Sequence, residues 1–324
     1  MKKVISLLLT VILLLCSFSF IVPAYAADFT KADLDLSQYT MDDLMNMSAE
    51  EYRALLRDFE RVYDPFGTYE TDPIMKDVEA TSEPEIMPVW GSGKPEKDKT
   101  GSHEMIAAQA LNVLANDKGI FSSDALQVIV ICLTISLAAI KPDTDERGSF
   151  PFYFEGHFYH AYDGDSYTGS TTNTALTNCR KHFNQAVSAA KSGNDDMAYM
   201  EIGMALHYIQ DAGEPHHAAN ITGANVAHTS FENYVDKRID TYVNLRTTLS
   251  GFLSNYSYST VQSNSVDYYV KGISKIAYGY RDQVNNALNQ TKWDNVARMT
   301  VPNAIAFSAV LLYKFASVSG KTLY

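Results

Sequence analysis

The chain has 324 residues, 46% of them hydrophobic, with 26 Lys and Arg against 38 Asp and Glu for a formal net charge of −12. That length supports one sizeable core, and the acidic balance argues against a basic nucleic-acid groove or a polybasic membrane anchor. The three cysteines are too few for a disulfide framework.

The chain opens with Lys2 and Lys3, an apolar run over residues 4–22, Pro23, and the small-residue pattern Ala24-Tyr25-Ala26. This order reads as a secretory signal peptide over residues 1–26, with cleavage expected after Ala26 and a secreted protein as the result. An uncleaved membrane anchor is the alternative, since the run is near the minimum spanning length. Cys16 leaves with the signal, so Cys132 and Cys179 remain as one disulfide or two buried thiols.

Residues 27–89 hold 16 Asp and Glu against 5 Lys and Arg, a net of −11, which leaves about −3 for residues 90–324 once the signal's +2 is counted. One short amphipathic helix is expected over 49–62, with Ser48 as N-cap and Glu51 completing a capping box. Pro65, Pro73, Pro84 and Pro88 follow among acidic residues, a composition that buries little surface. A pro-segment and a solvated arm of the mature protein are both compatible with this.

From Trp90 onward there is no internal repeat or low-complexity stretch, and a single domain is expected. Its periodicity is helical nearly throughout, with helices over 103–115, 123–140, 174–192, 195–212, 229–251, 267–289 and 293–319. Pro302 should kink or restart the last one. No segment after the signal reads as long and apolar enough to span a membrane. Two long loops, 141–172 and 213–227, are of a length that is usually functional.

The stretch ALHYIQDAGEPHHAAN, residues 205–220, places unusual chemistry on a core helix. His207 and Asp211 are four apart and share a helix face; His228 and Glu232 repeat that spacing on the next helix, and His217 lies between them just past Pro215. Buried imidazoles and carboxylates need partners or a metal, and these ligand types at i, i+4 spacing suit Zn²⁺.

LHYIQDAGEPHHAAN followed by HTSFENYVD resembles the central signature of the bacterial zinc-dependent phospholipase C family, which includes the clostridial alpha-toxin catalytic domain. The resemblance extends to Trp90 and His103 in WGSGKPEKDKTGSH, Asp143 in KPDTDERGSF and His157 in GHFYH. It implies an all-α, single multi-helix domain over 90–324, of a type shared with single-strand nucleases. It also implies three zinc ions: one on Trp90, His103 and Asp211, a second on Asp143, His157, His207 and Asp211, and a third on His217, His228 and Glu232. Asp143 is a candidate general base. His216 and His160 are register alternatives to His217 and His157, while His182 reads as structural or surface.

In this family the zinc-binding Trp is N-terminal, so the resemblance predicts a maturation cut between Val89 and Trp90. That makes 27–89 a pro-segment and implies a maturation protease. The implied activity is hydrolysis of the glycerol-phosphate bond of phospholipids to diacylglycerol and a phosphorylated head group. At the family's three choline-site positions stand Gly93, Thr144 and Phe154, and only Phe154 keeps the pattern, which weakens a phosphatidylcholine preference. Membrane contact is expected from Phe152, Phe154 and Phe158, the protein is expected to be a monomer without a nucleic-acid partner, and no lipid-binding β-sandwich is expected before Tyr324. Two alternatives remain: a secreted three-zinc single-strand nuclease, and a non-catalytic zinc-bound surface protein.

Overall fold

The computed structural model describes residues 30–31, 34–67, 102–118, 125–146, 148–149, 152–285 and 290–321. The expected signal peptide, Trp90 and Gly93 lie outside these residues. A short antiparallel ladder, β1 (Thr30–Lys31) with β2 (Leu34–Asp35), is the only sheet among the described residues. All other regular structure there is helical, in agreement with the all-α expectation.

Two small helices, α1 (Met41–Asn46) and α2 (Ala49–Tyr63), each begin with a capping box, Thr40 with Asp43 and Ser48 with Glu51. The body follows as α3 (Ser102–Lys118), α4 (Ala125–Ala138), α5 (Pro142–Asp145), α6 (Ala175–Lys191) and α7 (Asp195–Asp211). Then come α8 (Val226–Asp236), α9 (Ile239–Val243), α10 (Val266–Tyr278), α11 (Arg281–Val284) and α12 (Gln290–Ser319). Thr174 and Thr177 form a capping box at α6, and Asn194 accepts the Met197 N–H at the start of α7.

α7 is the central strut, packed between α6, α4 and α12. Every residue from Glu201 to Asp211 is buried, so any polar side chain there is held inside the protein. Gly203 allows α4 and α7 to approach closely, because a Cβ there would lie 2.5 Å from the Ala138 Cβ and 2.6 Å from the Ile135 carbonyl oxygen.

Several sequence expectations need correction. The helix expected over 229–251 breaks after Asp236 and ends at Val243. The segment beyond is rich in Thr and Ser, and α3 satisfies its backbone. Gln109 donates to the Arg246 carbonyl, Asn116 donates to the Thr247 carbonyl, and Asp117 accepts the Leu249 N–H. The helix expected over 267–289 stops at Tyr278, before Gly279. Pro302 does not restart α12, which runs through it to Ser319. Two stretches, Leu126–Asp145 and Gln290–Ser319, are long and apolar enough to cross a membrane, contrary to the sequence reading; 89% and 78% of their apolar windows are buried in the protein, as in core helices. Cys132 and Cys179 are both buried and free.

The core also reaches further toward the N-terminus than expected. Leu36, Leu44, Tyr52, Leu56 and Phe59 are no more than 1% exposed and belong to the same hydrophobic cluster as α3 and α4. Full burial of each large apolar side chain contributes about 1.5–3 kcal/mol, so this acidic region is anchored by its apolar face.

Candidate metal centre

Four elements converge on the C-terminal half of α7: the first turn of α3, the loop from α5 through residue 157, the turn after α7, and the first turns of α8. α3 opens with Ser102 and His103, and Ser102 Oγ donates to the buried Asp236 carboxylate, tying the start of α3 to the end of α8. His103 Nδ1 lies 2.7 Å from Gln210 Oε1, which orients the ring so that Nε2 stands 3.6 Å from Asp211 Oδ1. His207 donates from Nδ1 to the Ala139 carbonyl at 2.8 Å, a bond that makes Nε2 the lone-pair atom of the neutral ring.

Asp143 sits in α5, and its Oδ1 is 3.5 Å from both His157 Nδ1 and His207 Nε2. His157 comes from the 3₁₀ turn Glu155–His157, its Nδ1 2.8 Å from Asp211 Oδ2 and 3.0 Å from His207 Nε2. Phe154 precedes that turn in the left-handed region (φ 58°), a placement uncommon for a bulky residue. Gly156 lets the turn pass under α6, since a Cβ there would lie 2.3 Å from Asn178 Nδ2. His217 Nε2 is 3.4 Å from Glu232 Oε1, whose other neighbour is His228 Nε2 at 2.8 Å. His217 also reaches Asp211, its Nδ1 3.4 Å from Oδ1, so the His217 group and the Asp211 group touch.

The ligand-type atoms fall into three buried groups, each contained within 4.8 Å: His103, His207 and Asp211; Asp143, His157 and His207; and Glu214, His217, His228 and Glu232. Ligand atoms around a tetrahedral zinc stand roughly 3.4 Å apart, given bonds near 2.0–2.1 Å. The recurring separations of 3.4–3.6 Å match that spacing. Buried His157 Nε2, Asp211 Oδ1, His217 Nε2 and Glu232 Oε2 have no hydrogen-bond partner. Among the described residues, Asp211, Glu214 and Glu232 form their ion pairs with histidines only. Buried carboxylates at Asp211, Glu214 and Glu232, each surrounded by imidazoles, suit a cation, and the mixed imidazole and carboxylate donors fit zinc.

The electrostatics show the same demand. Burial pushes the Glu232 carboxyl up to about 8, with Glu214 adding to the rise against the pull of His217. Burial alone would raise Asp211, but His207, His217 and His157 hold it well below the usual carboxylate range. Burial alone would lower His207, yet Asp211 and Asp143 raise it to about 9. Burial and the neighbouring His207 keep His103 well below the usual imidazole range.

Eight of the nine sequence-predicted ligands therefore come together, while the ninth, Trp90, lies outside the described residues. His160 does not join them; it is half-buried, 2.9 Å from Asp163. His216 is buried beside the third group, stacked on His228 and 2.8 Å from Glu214. Phe154 is 2% exposed with its ring edge on His157, and Phe158 is fully buried and stacked on His217. Those two thus support the ligands and cannot be membrane contacts as expected; Phe152, 54% exposed, can. Thr144 is exposed, and its hydroxyl donates to the Lys141 carbonyl.

Sequence reasoning missed Glu214, although it lies within the stretch that drew attention, between Asp211 and His217. It also missed the support behind the ligands. His182 is buried between Glu201 (2.6 Å) and Glu146 (2.8 Å), and Glu146 accepts the Tyr208 hydroxyl at 2.6 Å. Tyr208 packs against both His157 and His207. A histidine nineteen positions from its partner Glu201 carries no spacing signal, so only the fold reveals it.

Comparison with known proteins agrees with this centre. The phospholipase C of Clostridium novyi is 30% identical over 243 residues, 68% of this chain and 59% of that protein. That of Bacillus cereus is 26% identical over 164 residues, 48% of this chain and 56% of that protein. Among solved structures, the alpha toxin of Clostridium absonum superposes with a TM-score of 0.59 at 25% identity, covering 71% of this chain and 66% of that one. The chain thus spans somewhat less than two thirds of the curated relatives it matches. A family profile described as zinc dependent phospholipase C matches residues 102–293, the interval that contains all eight converging ligands. With a match over more than half its length and the ligand pattern assembled in three dimensions, the chain belongs to the zinc-dependent phospholipase C family.

Proposed function

We propose that the protein is a secreted zinc phosphodiesterase that hydrolyses the glycerol-phosphate bond of phospholipids, yielding diacylglycerol and a phosphorylated head group. The observation that carries this reading is the set of three buried histidine and carboxylate groups around Asp211, whose donor atoms are spaced as a cation's ligands would be. The nuclease and non-catalytic alternatives gain nothing from the comparisons, whose named relatives are phospholipases C.

His103, Asp211 and, once freed, Trp90 would hold one zinc; Asp143, His157, His207 and Asp211 a second; His217, His228 and Glu232 the third, with Glu214 beside them. Zinc in such a cluster supplies charge neutralisation at phosphoryl oxygens and acidification of a water. The chain's own residues orient and connect. Gln210 fixes the His103 ring, the Ala139 carbonyl fixes His207, and the His157 carbonyl lies 3.1 Å from His217 Nδ1. Asp143 is 7% exposed, whereas the other seven ligands are at most 1% exposed. It is therefore placed to pass a proton between the reacting water and bulk solvent, as a general base must. Phe154 would wall the head-group side of His157.

The maturation step belongs to the same reading. A chain beginning at Trp90 would offer its α-amine thirteen positions before His103, the spacing of the family pattern. Removal of the signal after Ala26 and a second cut after Val89 would produce that end.

The test is to incubate the zinc-loaded mature protein with phospholipid micelles and, separately, with single-stranded DNA. Release of phosphorylated head group with DNA left intact is expected. Cleavage of DNA alone, or of neither substrate with zinc bound, would overturn the reading.

A further inference from the structure

A cut before Trp90 would separate residues 27–89 from the body in sequence. We propose that residues 34–66 stay bound to the body after that cut, so that the mature protein consists of two chains. This rests on the maturation reading above and adds to it the fate of the segment.

The docked region is built like an interface. α1 packs on α3 and α4, and α2 packs on α4. Leu44, Tyr52, Leu56 and Phe59 are at most 1% exposed, and Pro65 is buried as well. Polar groups are matched across the seam. The Tyr52 hydroxyl donates to Ser136 Oγ at 2.9 Å and lies 3.6 Å from Cys132 Sγ, both on α4. The Ala49 N–H at the start of α2 donates to Asp240 Oδ1 of α9 at 2.7 Å, where the carboxylate also complements the helix dipole. Arg53 Nε stands 3.9 Å from Glu104 Oε1, with both side chains at most 10% exposed.

None of these contacts is altered by cutting after Val89, twenty-two positions beyond Gly67 and outside the docked region. Release, in contrast, would bring a row of large apolar side chains into water and uncover Cys132 and Ser136, now 1% and 0% exposed. Charge does not favour retention, since residues 27–89 carry −11 and the body about −3. The association is therefore apolar and should resist salt, because like-charge repulsion is screened while apolar burial is not. Retention also has a use. Arg53 sits on the residue next to His103, so the segment braces the turn of α3 that carries a metal ligand.

The experiment inserts a specific protease site at residues 88–89 and cuts the purified full chain there, which makes the result independent of the natural maturation enzyme. Native mass spectrometry and gel filtration should then give one complex holding one segment per body, unchanged in high salt and resolved into two chains only by denaturant. A body that elutes without its segment after the engineered cut would overturn the proposal. Tyr52→Phe keeps the packing and removes one hydrogen bond, so its segment should dissociate roughly five- to tenfold faster. An unchanged rate would place the holding force elsewhere and contradict the seam described here. N-terminal sequencing of the naturally secreted protein addresses the separate question: a start other than Trp90 overturns the maturation reading and leaves the retention result standing.

Discussion

The inner face of α2 and the last two turns of α7 both bury polar side chains, yet they hold them in different ways. In α2, Tyr52 finds Ser136, the first N–H finds Asp240 and Arg53 faces Glu104 with opposite charge, so most of the burial is compensated within the protein, Arg53 Nη1 alone lacking a hydrogen bond. In α7, His207 and Asp211 meet more imidazoles and carboxylates, and atoms such as Asp211 Oδ1 and its neighbour His157 Nε2 are left without a hydrogen bond. The difference separates structural burial from functional burial. A core satisfies its polar groups either with protein partners or with a bound ligand.

The largest effect expected from that contrast is at Asp211, which touches four histidines. Asp211→Ala should remove zinc from two groups at once and lower phospholipid hydrolysis by more than any single proton-transfer loss. Metal analysis showing full zinc content would break the distinction. Asp143→Asn comes next. On the general-base role proposed for it, hydrolysis should fall by about 10²–10⁴-fold while the helical circular dichroism stays unchanged. An activity close to wild type would remove Asp143 from the chemistry.

Much of this contrast was legible beforehand, and the limits are physical. Helix positions followed from periodicity and caps, so α2, α6 and α7 begin within a residue or two of expectation. The ligands on α7 and α8 announced themselves because i, i+4 spacing on an apolar face survives in sequence. Glu214 and His182 did not, since their partners are set by a tight turn and by packing between α6 and α7. The break after Asp236 was hidden for a similar reason: the side chains that replace the helix bonds belong to α3, more than a hundred residues away. The amphipathic pattern over 49–62 was legible, but the acidic, Pro-rich residues that follow it concealed that residues 34–66 dock on the body, because a helix pattern does not name the surface its apolar face meets.

On the structural side of the comparison, Phe59→Ala should cost about 3–5 kcal/mol in urea unfolding, as a fully buried ring lost from the core. A cost under about 0.5 kcal/mol would mean that α2 is a solvated arm. The smallest effect is a change in pH dependence at His182. Burial alone would lower its pKa, but Glu146 and Glu201 outweigh that and raise it. A raised imidazole stabilises fully below its ordinary value near 6.5, and that contribution fades as pH rises through the raised value. Wild type should therefore lead His182→Gln in Tm at pH 6 and lose part of that lead on the alkaline side. A lead that is constant or grows with pH would contradict the charged pairing.

The most direct test of the central claim is anomalous diffraction at the zinc edge from crystals of the mature protein. Peaks are predicted within bonding distance of Asp211, between Asp143 and His157, and between His217 and Glu232. Well-ordered side chains with no peak among them would contradict the account.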